Sequence, residues 1–177
     1  MGCVLPAGLG QAPARQAALY AGLPNSIPCT TVNKMCGSGL KTIIIAYNNI
    51  LADSEKIIIA GGMENMTQVP YLIPKARSGL RLGHGVIIDH MFLDGLEDAY
   101  EKGCLMGHFA EQTAKRYNFT REAQDEFAIV STKRAQAAVA DHRFSNEIAA
   151  VKYNFKNQEI IIQQDRSEER RVGKECL

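Results

Sequence analysis

Hydrophobic side chains recur at helical spacing in the first third of the chain. The spaced positions are Leu40, Ile43, Ile44, Ala46, Tyr47, Ile50 and Leu51. This spacing predicts an α-helix, and Ile45 widens its apolar stripe, so we expect burial on nearly all sides. A β-branched run at 27–33 predicts a buried strand before the helix, and the apolar run at 57–62 predicts a second strand after it. Strand, helix and strand form a βαβ unit, which makes the fold class α/β.

The second half of the chain predicts two more helices and a hairpin. After a loop broken by proline and glycine at 69–82, residues 107–117 predict a helix. Thr120 is a candidate N-cap for a longer helix. Its expected buried stripe consists of Phe127, Val130, Ala135, Ala138 and Val139. Residues 152–155 and 159–162 predict a β-hairpin around residues 156–158.

Composition narrows the class of protein. The chain has 177 residues, of which 46% are hydrophobic and 22% charged, and its net charge is +1. This balance argues against nucleic-acid and membrane-surface partners, and no apolar run approaches the ~20 residues of a membrane helix. Five cysteines without a framework spacing or a secretory signal fit a reducing compartment. We predict a cytoplasmic location, with a mitochondrial one as the alternative, and no metal, because no Cys-x-x-Cys pair occurs.

Cys36 is the candidate nucleophile. It lies between the predicted strand and helix, where free backbone N–H groups and the helix dipole favour a thiolate. Gly37 and Gly39 allow backbone or substrate to approach closely. An isolated cysteine is more often an inert buried residue, and only its position separates Cys36 from Cys3, Cys29 and Cys104, which we expect to be inert. Neither a Walker A motif nor a Gly-x-Gly-x-x-Gly fingerprint occurs, so neither a phosphate-binding loop of that type nor a dinucleotide site has support.

Several motifs together resemble the thiolase family, of the acetyl-CoA acetyltransferase type. They are Asn-Lys-Met-Cys-Gly-Ser-Gly at 33–39, Ala-Gly-Gly-Met-Glu-Asn-Met at 60–66, Asp-Gly-Leu at 94–96, Met-Gly at 106–107, and the upstream segment from 1–5 through 8–18. The resemblance implies a partial thiolase fold. Residues 1–65 would be part of the first βαβ core domain, carrying the nucleophile, and 66–165 the inserted loop domain with elements of the CoA groove. Residues 166–177 are predicted to be a non-native tail, because 166–176 resembles a translated sequencing adapter.

The resemblance also implies roles for single residues. Cys36 would carry the acyl group, and its own backbone N–H would be one donor of an oxyanion hole. Leu96 and Met106 match positions that line the apolar part of the CoA groove. The implied reaction is the Claisen condensation of two acetyl-CoA to acetoacetyl-CoA, or the reverse thiolysis. Coenzyme A thioesters are then the substrates, no resident cofactor is required, and the complete protein is expected to be a homodimer or homotetramer.

Two family motifs do not occur in the sequence. The Gly-His-Pro motif, which activates the nucleophile, and the Cys-x-Gly motif, which moves the substrate proton, are both absent; His84 and His108 follow glycine but lack the proline. We therefore expect an N-terminal-half fragment that is inactive by itself. Leu105 stands where related enzymes often carry a histidine near the CoA. The alternatives are another condensing enzyme of the thiolase superfamily, such as a ketoacyl synthase, and a non-catalytic CoA- or lipid-binding module.

Overall fold

The computed structural model describes residues 1–163, which contain four α-helices and four short strands. The helices are α1 (Pro13–Tyr20), α2 (Ser38–Leu51), α3 (Met106–Tyr117) and α4 (Arg121–Ala140). The strands are β1 (Tyr71–Leu72), β2 (Ile88–Asp89), β3 (Val151–Phe155) and β4 (Gln158–Ile162). Two 3₁₀ turns (Met66–Gln68 and Ala76–Ser78) and a π-helical turn (Phe92–Leu96) complete the list.

The chain packs as two compact units, Met1–Ala110 and a second that begins at Glu111. The predicted boundary after residue 65 separates domains implied by the family resemblance, not compact units of this structure, and it stays a prediction. The predicted tail at 166–177 lies outside the described residues. Among the helices of residues 1–163, none combines the length and the apolar character that a membrane span requires.

The N-terminal segment forms the centre of the first unit. Gly2 makes parallel bridges to Val32 on one side and to Gly62 on the other. The Gly2 N–H donates to Gly61 O at 2.7 Å, and the Cys3 N–H donates to Val32 O at 3.0 Å. The predicted segments 27–33 and 57–62 are therefore parallel but not adjacent, because the N-terminal segment lies between them. The predictions of a buried strand at 27–33 and of a second strand at 57–62 are both wrong, since the pairing of each segment consists of a single bridge and neither forms a strand. Ile57 and Ile59 in the second segment are also exposed.

Helix α2 rests directly on this N-terminal segment. A Cβ atom added to Gly2 would lie 2.6 Å from the Ser38 carbonyl carbon, so only glycine fits beneath the first turn of the helix. The buried Thr42 hydroxyl accepts the Gly61 N–H at 3.0 Å and lies 3.1 Å from Gly61 O. Hydrogen bonds from a small side chain thus join α2 to the segment that follows it.

The expected burial of α2 on nearly all sides is wrong. Its buried residues are the small ones, Ser38, Thr42 and Ala46, which follow one another at four-residue spacing on one face. The large hydrophobic side chains point away from this face, and Leu40 and Tyr47 are 64% and 63% exposed. Helix and backbone approach closely only where side chains are small, so the periodicity of the large residues marks the opposite, uncovered side.

The second unit confirms the predicted elements but only part of their burial. Helix α4 begins after Thr120, whose hydroxyl accepts the Ala123 N–H at 3.2 Å, as the N-cap prediction requires. The predicted stripe is confirmed only in part, because Ala138 is buried and Val130 and Ala135 are half-buried, whereas Phe127 is 78% exposed and Val139 is exposed as well. The predicted hairpin is confirmed as β3 and β4. Its turn consists of Lys156 and Asn157, both with positive φ, as in a type I′ turn.

Gly2→Ala should destabilise the first unit, because the new methyl group would overlap the backbone of Ser38. Overpacking of this kind costs about 1–3 kcal/mol or more. The measurement is urea denaturation followed by circular dichroism at low protein concentration. Gly107→Ala is the matched control, since apart from its chain neighbours and the backbone of its own helix no atom of the described residues lies within 4 Å of the added Cβ. Equal stability of the two variants would contradict the close packing of α2 on Gly2.

The Cys3 thiol should react more slowly than the exposed Cys36 thiol, and only at higher pH. Cys3 is 1% exposed, and its Sγ lies 3.8 Å from a Glu64 carboxylate oxygen. Burial, and then the negative charge of Glu64, raise the pKa of Cys3, so its reactive thiolate forms above the usual pH range. Alkylation of the folded chain by iodoacetamide across pH 7 to 10, read by peptide mass spectrometry, tests this. Labelling of Cys3 as fast as Cys36 at neutral pH would contradict it.

Candidate active site

Cys36 lies in a tight turn two residues before the first residue of α2. The turn is closed by backbone hydrogen bonds from Gly37 N–H to Lys34 O at 3.2 Å and from Ser38 N–H to Met35 O at 2.9 Å. Met35 has a φ of 50°, a left-handed conformation that is costly for a residue with a side chain. A non-glycine residue held in this region is a form of strain that often accompanies functional sites. The predicted position of Cys36 at a helix N-terminus is confirmed.

Two side chains hold the strained turn in place. Ser38 is 4% exposed, and its hydroxyl accepts the Lys34 N–H at 2.9 Å and donates to Met35 O at 2.5 Å. The side-chain Oδ1 of Asn33 accepts the Met35 N–H at 3.0 Å. The amide nitrogen of Asn33 donates to Val4 O at 3.3 Å, which ties the turn to the N-terminal segment. These polar contacts fix the backbone on both sides of Cys36.

The Cys36 thiol is accessible and is not engaged by the rest of the described chain. It is a free, exposed cysteine, and no hydrogen-bond partner for its sulfur lies within residues 1–163. Over the same residues, the backbone N–H of Cys36 donates no hydrogen bond either. An accessible sulfur beside an unused N–H donor is the arrangement that acyl transfer needs, because the N–H can donate a hydrogen bond to the developing oxyanion.

The other two predicted site residues stand at the two ends of one closed loop. Glu97 and Leu105 pair as an antiparallel bridge, and Leu96 and Met106 flank this pair on the outside. Leu96 is half-buried at the end of the π-helical turn, and Met106 is 50% exposed at the start of α3. Within residues 1–163, no hydrogen bond or ion pair joins either residue to Cys36. The structure brings Leu96 and Met106 together at the loop, and Cys36 belongs to a separate segment.

Carboxylates organise the loop between these two residues. Glu97 accepts the Gly103 N–H at 2.7 Å, and this hydrogen bond is the main reason why the pKa of its carboxyl is lowered. Asp98 accepts the Glu101 N–H at 2.8 Å, which likewise lowers the pKa of Asp98. Both carboxylates are therefore ionised at neutral pH and available to hold the backbone of the loop. The loop also brings Glu101, Cys104 and His108 together, with ligand atoms within 4.8 Å of one another.

A histidine and the residues that hold the turn had no role in the sequence predictions. The buried His90 ring has its Nδ1 at 2.6 Å from an Asp94 oxygen, and its Nε2 has no partner within the described residues. The four-residue spacing of this pair on a helical segment was the available signal. For Asn33, the signal was its tendency to bond the backbone two residues on. For Ser38, it was the preference of serine for the start of a helix.

Comparison with known proteins identifies the fold and the family. The family model described as "Thiolase, N-terminal domain" matches residues 1–177. The chain is 50% identical over 151 residues to an acetyl-CoA acetyltransferase of Cupriavidus necator, covering 85% of this chain and 38% of that protein. It is 47% identical over 165 residues to a mitochondrial acetyl-CoA acetyltransferase of Gibberella zeae, covering 93% of this chain and 38% of that protein.

A solved structure shows the same similarity in three dimensions. The crystal structure of the Acat5 thiolase from Ascaris suum in complex with coenzyme A matches with a TM-score of 0.84 and 36% identity. The match covers 96% of this chain and 42% of that one. The predicted α/β class and partial thiolase fold are confirmed, and the chain spans about 38% of the length of the curated relatives named above. The chain therefore belongs to the thiolase family.

Proposed function

We propose that this chain supplies the acyl-accepting cysteine of an acetyl-CoA acetyltransferase. The observation that carries the proposal is the exposed Cys36 thiol on a strained turn before α2, beside its own unused backbone N–H. The names of the relatives support acetyl-CoA as the substrate, and a thiolase neighbour that binds coenzyme A supports an acyl-CoA site.

The first half-reaction uses the features of the turn directly. The Cys36 thiolate attacks the carbonyl carbon of acetyl-CoA, and the carbonyl oxygen becomes an oxyanion that the Cys36 N–H stabilises. Collapse of this intermediate breaks the bond between the carbonyl carbon and the CoA sulfur. CoA leaves as a thiolate and takes up a proton, while the acetyl group remains on Cys36 as a thioester. Covalent transfer thus divides one difficult exchange into two easier steps.

In the second half-reaction, a proton leaves the methyl carbon of another acetyl-CoA. That carbon attacks the acetyl group on Cys36, a carbon–carbon bond forms, and the Cys36 thiolate is released with acetoacetyl-CoA as the product. The family motifs for the proton transfers, Gly-His-Pro and Cys-x-Gly, do not occur in the 177 residues. We therefore expect negligible turnover by this chain alone.

Substrate contacts outside the turn are part of the same proposal. Leu96 and Met106 offer apolar side chains at the two ends of the loop closed by Glu97 and Leu105, and we assign them to the wall of the CoA groove. The uncovered hydrophobic side of α2, with Leu40 and Tyr47 at its surface, supports packing against further protein in a homodimeric or homotetrameric assembly. The predicted cytoplasmic location stays a prediction, and one relative is mitochondrial.

Cys36→Ala should abolish acetyl transfer from labelled acetyl-CoA. Because the substitution removes the nucleophile, we expect the rate to fall about 10⁴- to 10⁶-fold. The measurement is acid-stable incorporation of radioactive acetyl into the gene product that contains this chain, with release by hydroxylamine to identify a thioester. Cys29→Ala is the matched control, since this half-buried thiol lies outside the turn and, within residues 1–163, hydrogen-bonds only to the backbone oxygen of Ile27.

The labelling experiment also separates the alternative functions. Unchanged label in Cys36→Ala would overturn the proposal, and binding of acetyl-CoA without any label would favour a non-catalytic CoA-binding module. A labelled protein that transfers acetyl to malonyl thioesters, and not to acetyl-CoA, would favour a ketoacyl synthase.

Ser38→Ala should slow acetyl transfer by loosening the turn that presents Cys36. The substitution leaves the Lys34 N–H and Met35 O without their buried partner, which costs about 1–3 kcal/mol. Ser54→Ala is the control, because the exposed Ser54 hydroxyl donates to Asn49 O in an equivalent way beyond the other end of α2. Comparing the acetylation rate with the urea midpoint for both variants tests this. A Ser38→Ala protein as fast and as stable as the control would exclude the positioning role.

A further inference from the structure

We propose that Glu101, Cys104 and His108 form a binding site for Zn²⁺, separate from the Cys36 turn. Each of these residues offers one ligand atom, and the three atoms lie within 4.8 Å of one another. In a tetrahedral zinc site, bonds of about 2.0–2.3 Å put neighbouring ligand atoms roughly 3.3–3.8 Å apart. Small side-chain rotations therefore suffice to close the three residues around an ion.

The backbone of the loop already holds the three ligands together. The Cys104 N–H donates to Glu101 O at 3.1 Å, and the Asp98 N–H donates to Cys104 O at 2.8 Å. The Asp98 carboxylate accepts the N–H of Glu101 at 2.8 Å. The third ligand, His108, belongs to the first turn of α3, where its N–H donates to Leu105 O at 2.9 Å. The ordering that a flexible loop must undergo to bind a metal is therefore largely complete before binding.

The ligand types select the metal. A thiolate and an imidazole suit Zn²⁺, whereas Mg²⁺ and Ca²⁺ prefer an all-oxygen shell. The thiol proton of Cys104 is released to solvent when its sulfur binds the ion, and the Glu101 carboxylate supplies the second negative charge. The bound group is then electrically neutral. Three protein ligands leave the fourth position to a water molecule.

The sequence analysis predicted no metal because no Cys-x-x-Cys pair occurs. The proposed site has a different spacing, Glu-x-x-Cys-x-x-x-His, and its residues lie in a loop and at the start of a helix. Leu105 and Met106 lie between the second and third ligands, so a bound ion would fix the loop to the first turn of α3 and order both side chains. The binding of Zn²⁺ itself does not depend on the proposed acyl transfer.

Zinc titration of the untagged 177-residue chain tests the proposal. The background carries Cys36→Ala and Cys176→Ser, which removes two other thiols that could bind the ion. Competition against a chromogenic chelator should give one tight site, and Co²⁺ should give a near-ultraviolet thiolate charge-transfer band. Cys104→Ser should abolish the band and weaken Zn²⁺ binding by at least about 100-fold, since even loss of an outer partner costs 10–100-fold. His108→Gln should weaken the binding comparably.

Two control substitutions change residues of the same type outside the cluster. Cys29→Ser and His84→Gln should leave the zinc affinity within about threefold, because neither residue belongs to the group. If Cys104→Ser fails to fold by circular dichroism, Glu101→Gln and His108→Gln decide, since both side chains are exposed. Absence of a one-to-one site in the background chain, or full affinity in Cys104→Ser or in both other variants, would overturn the proposal.

Discussion

The close approach of α2 to Gly2 is the constraint on which the first unit depends. The first turn of the helix lies so near the N-terminal segment that a Cβ on Gly2 would overlap the Ser38 backbone. The same glycine pairs with Val32 on one side and Gly62 on the other. One residue without a side chain therefore fixes the distance between helix and backbone and the order of three chain segments. Because Ser38 is held there, the turn that carries Cys36 is held as well.

Polar contacts, rather than a large apolar core, hold much of the first unit together. The buried hydrophobic residues of the described chain are few, and all but Leu5 are small: Cys3, Leu5, Ala14, Ala46 and Ala138. In their place, the Glu64 carboxylate accepts the N–H groups of Val4 at 2.8 Å and Leu5 at 3.0 Å. Hydrogen bonds to a charged carboxylate are stronger than those between neutral groups, so these two bonds anchor the end of the N-terminal segment. Such contacts are directional, and direction is what a catalytic turn requires.

The sequence predicted the secondary-structure elements more successfully than it predicted their packing. Thr120 correctly predicted the start of α4, because an N-cap is a local interaction between neighbours in the chain. The hairpin of β3 and β4 was equally local. The contact face of α2 was missed because periodicity was judged from large residues, while the packed stripe consists of Ser38, Thr42 and Ala46. The position of residues 1–5 between two other segments is a long-range pairing, which no pattern within a single segment reveals.

The candidate site divides in the same way. Cys36 was found from its place between two elements, and the resemblance to a family added Leu96 and Met106. Ser38 and Asn33 stood in the same motif, yet their support of the turn depends on the φ of Met35, which the sequence does not display. His90 was missed because its partner Asp94 becomes a neighbour only when the segment is helical.

Cys36 and Cys104 show why a helix N-terminus alone does not assign a cysteine its chemistry. Each lies two residues before the first residue of a helix, α2 in one case and α3 in the other. Cys36 is exposed, its sulfur has no hydrogen-bond partner within residues 1–163, and the unused N–H is its own, so an acyl group can reach it. Around Cys104 stand a carboxylate and an imidazole within 4.8 Å, which are ligands rather than oxyanion donors. The surrounding side chains, and not the helix dipole that both share, are therefore what separates the proposed nucleophile from the proposed metal ligand.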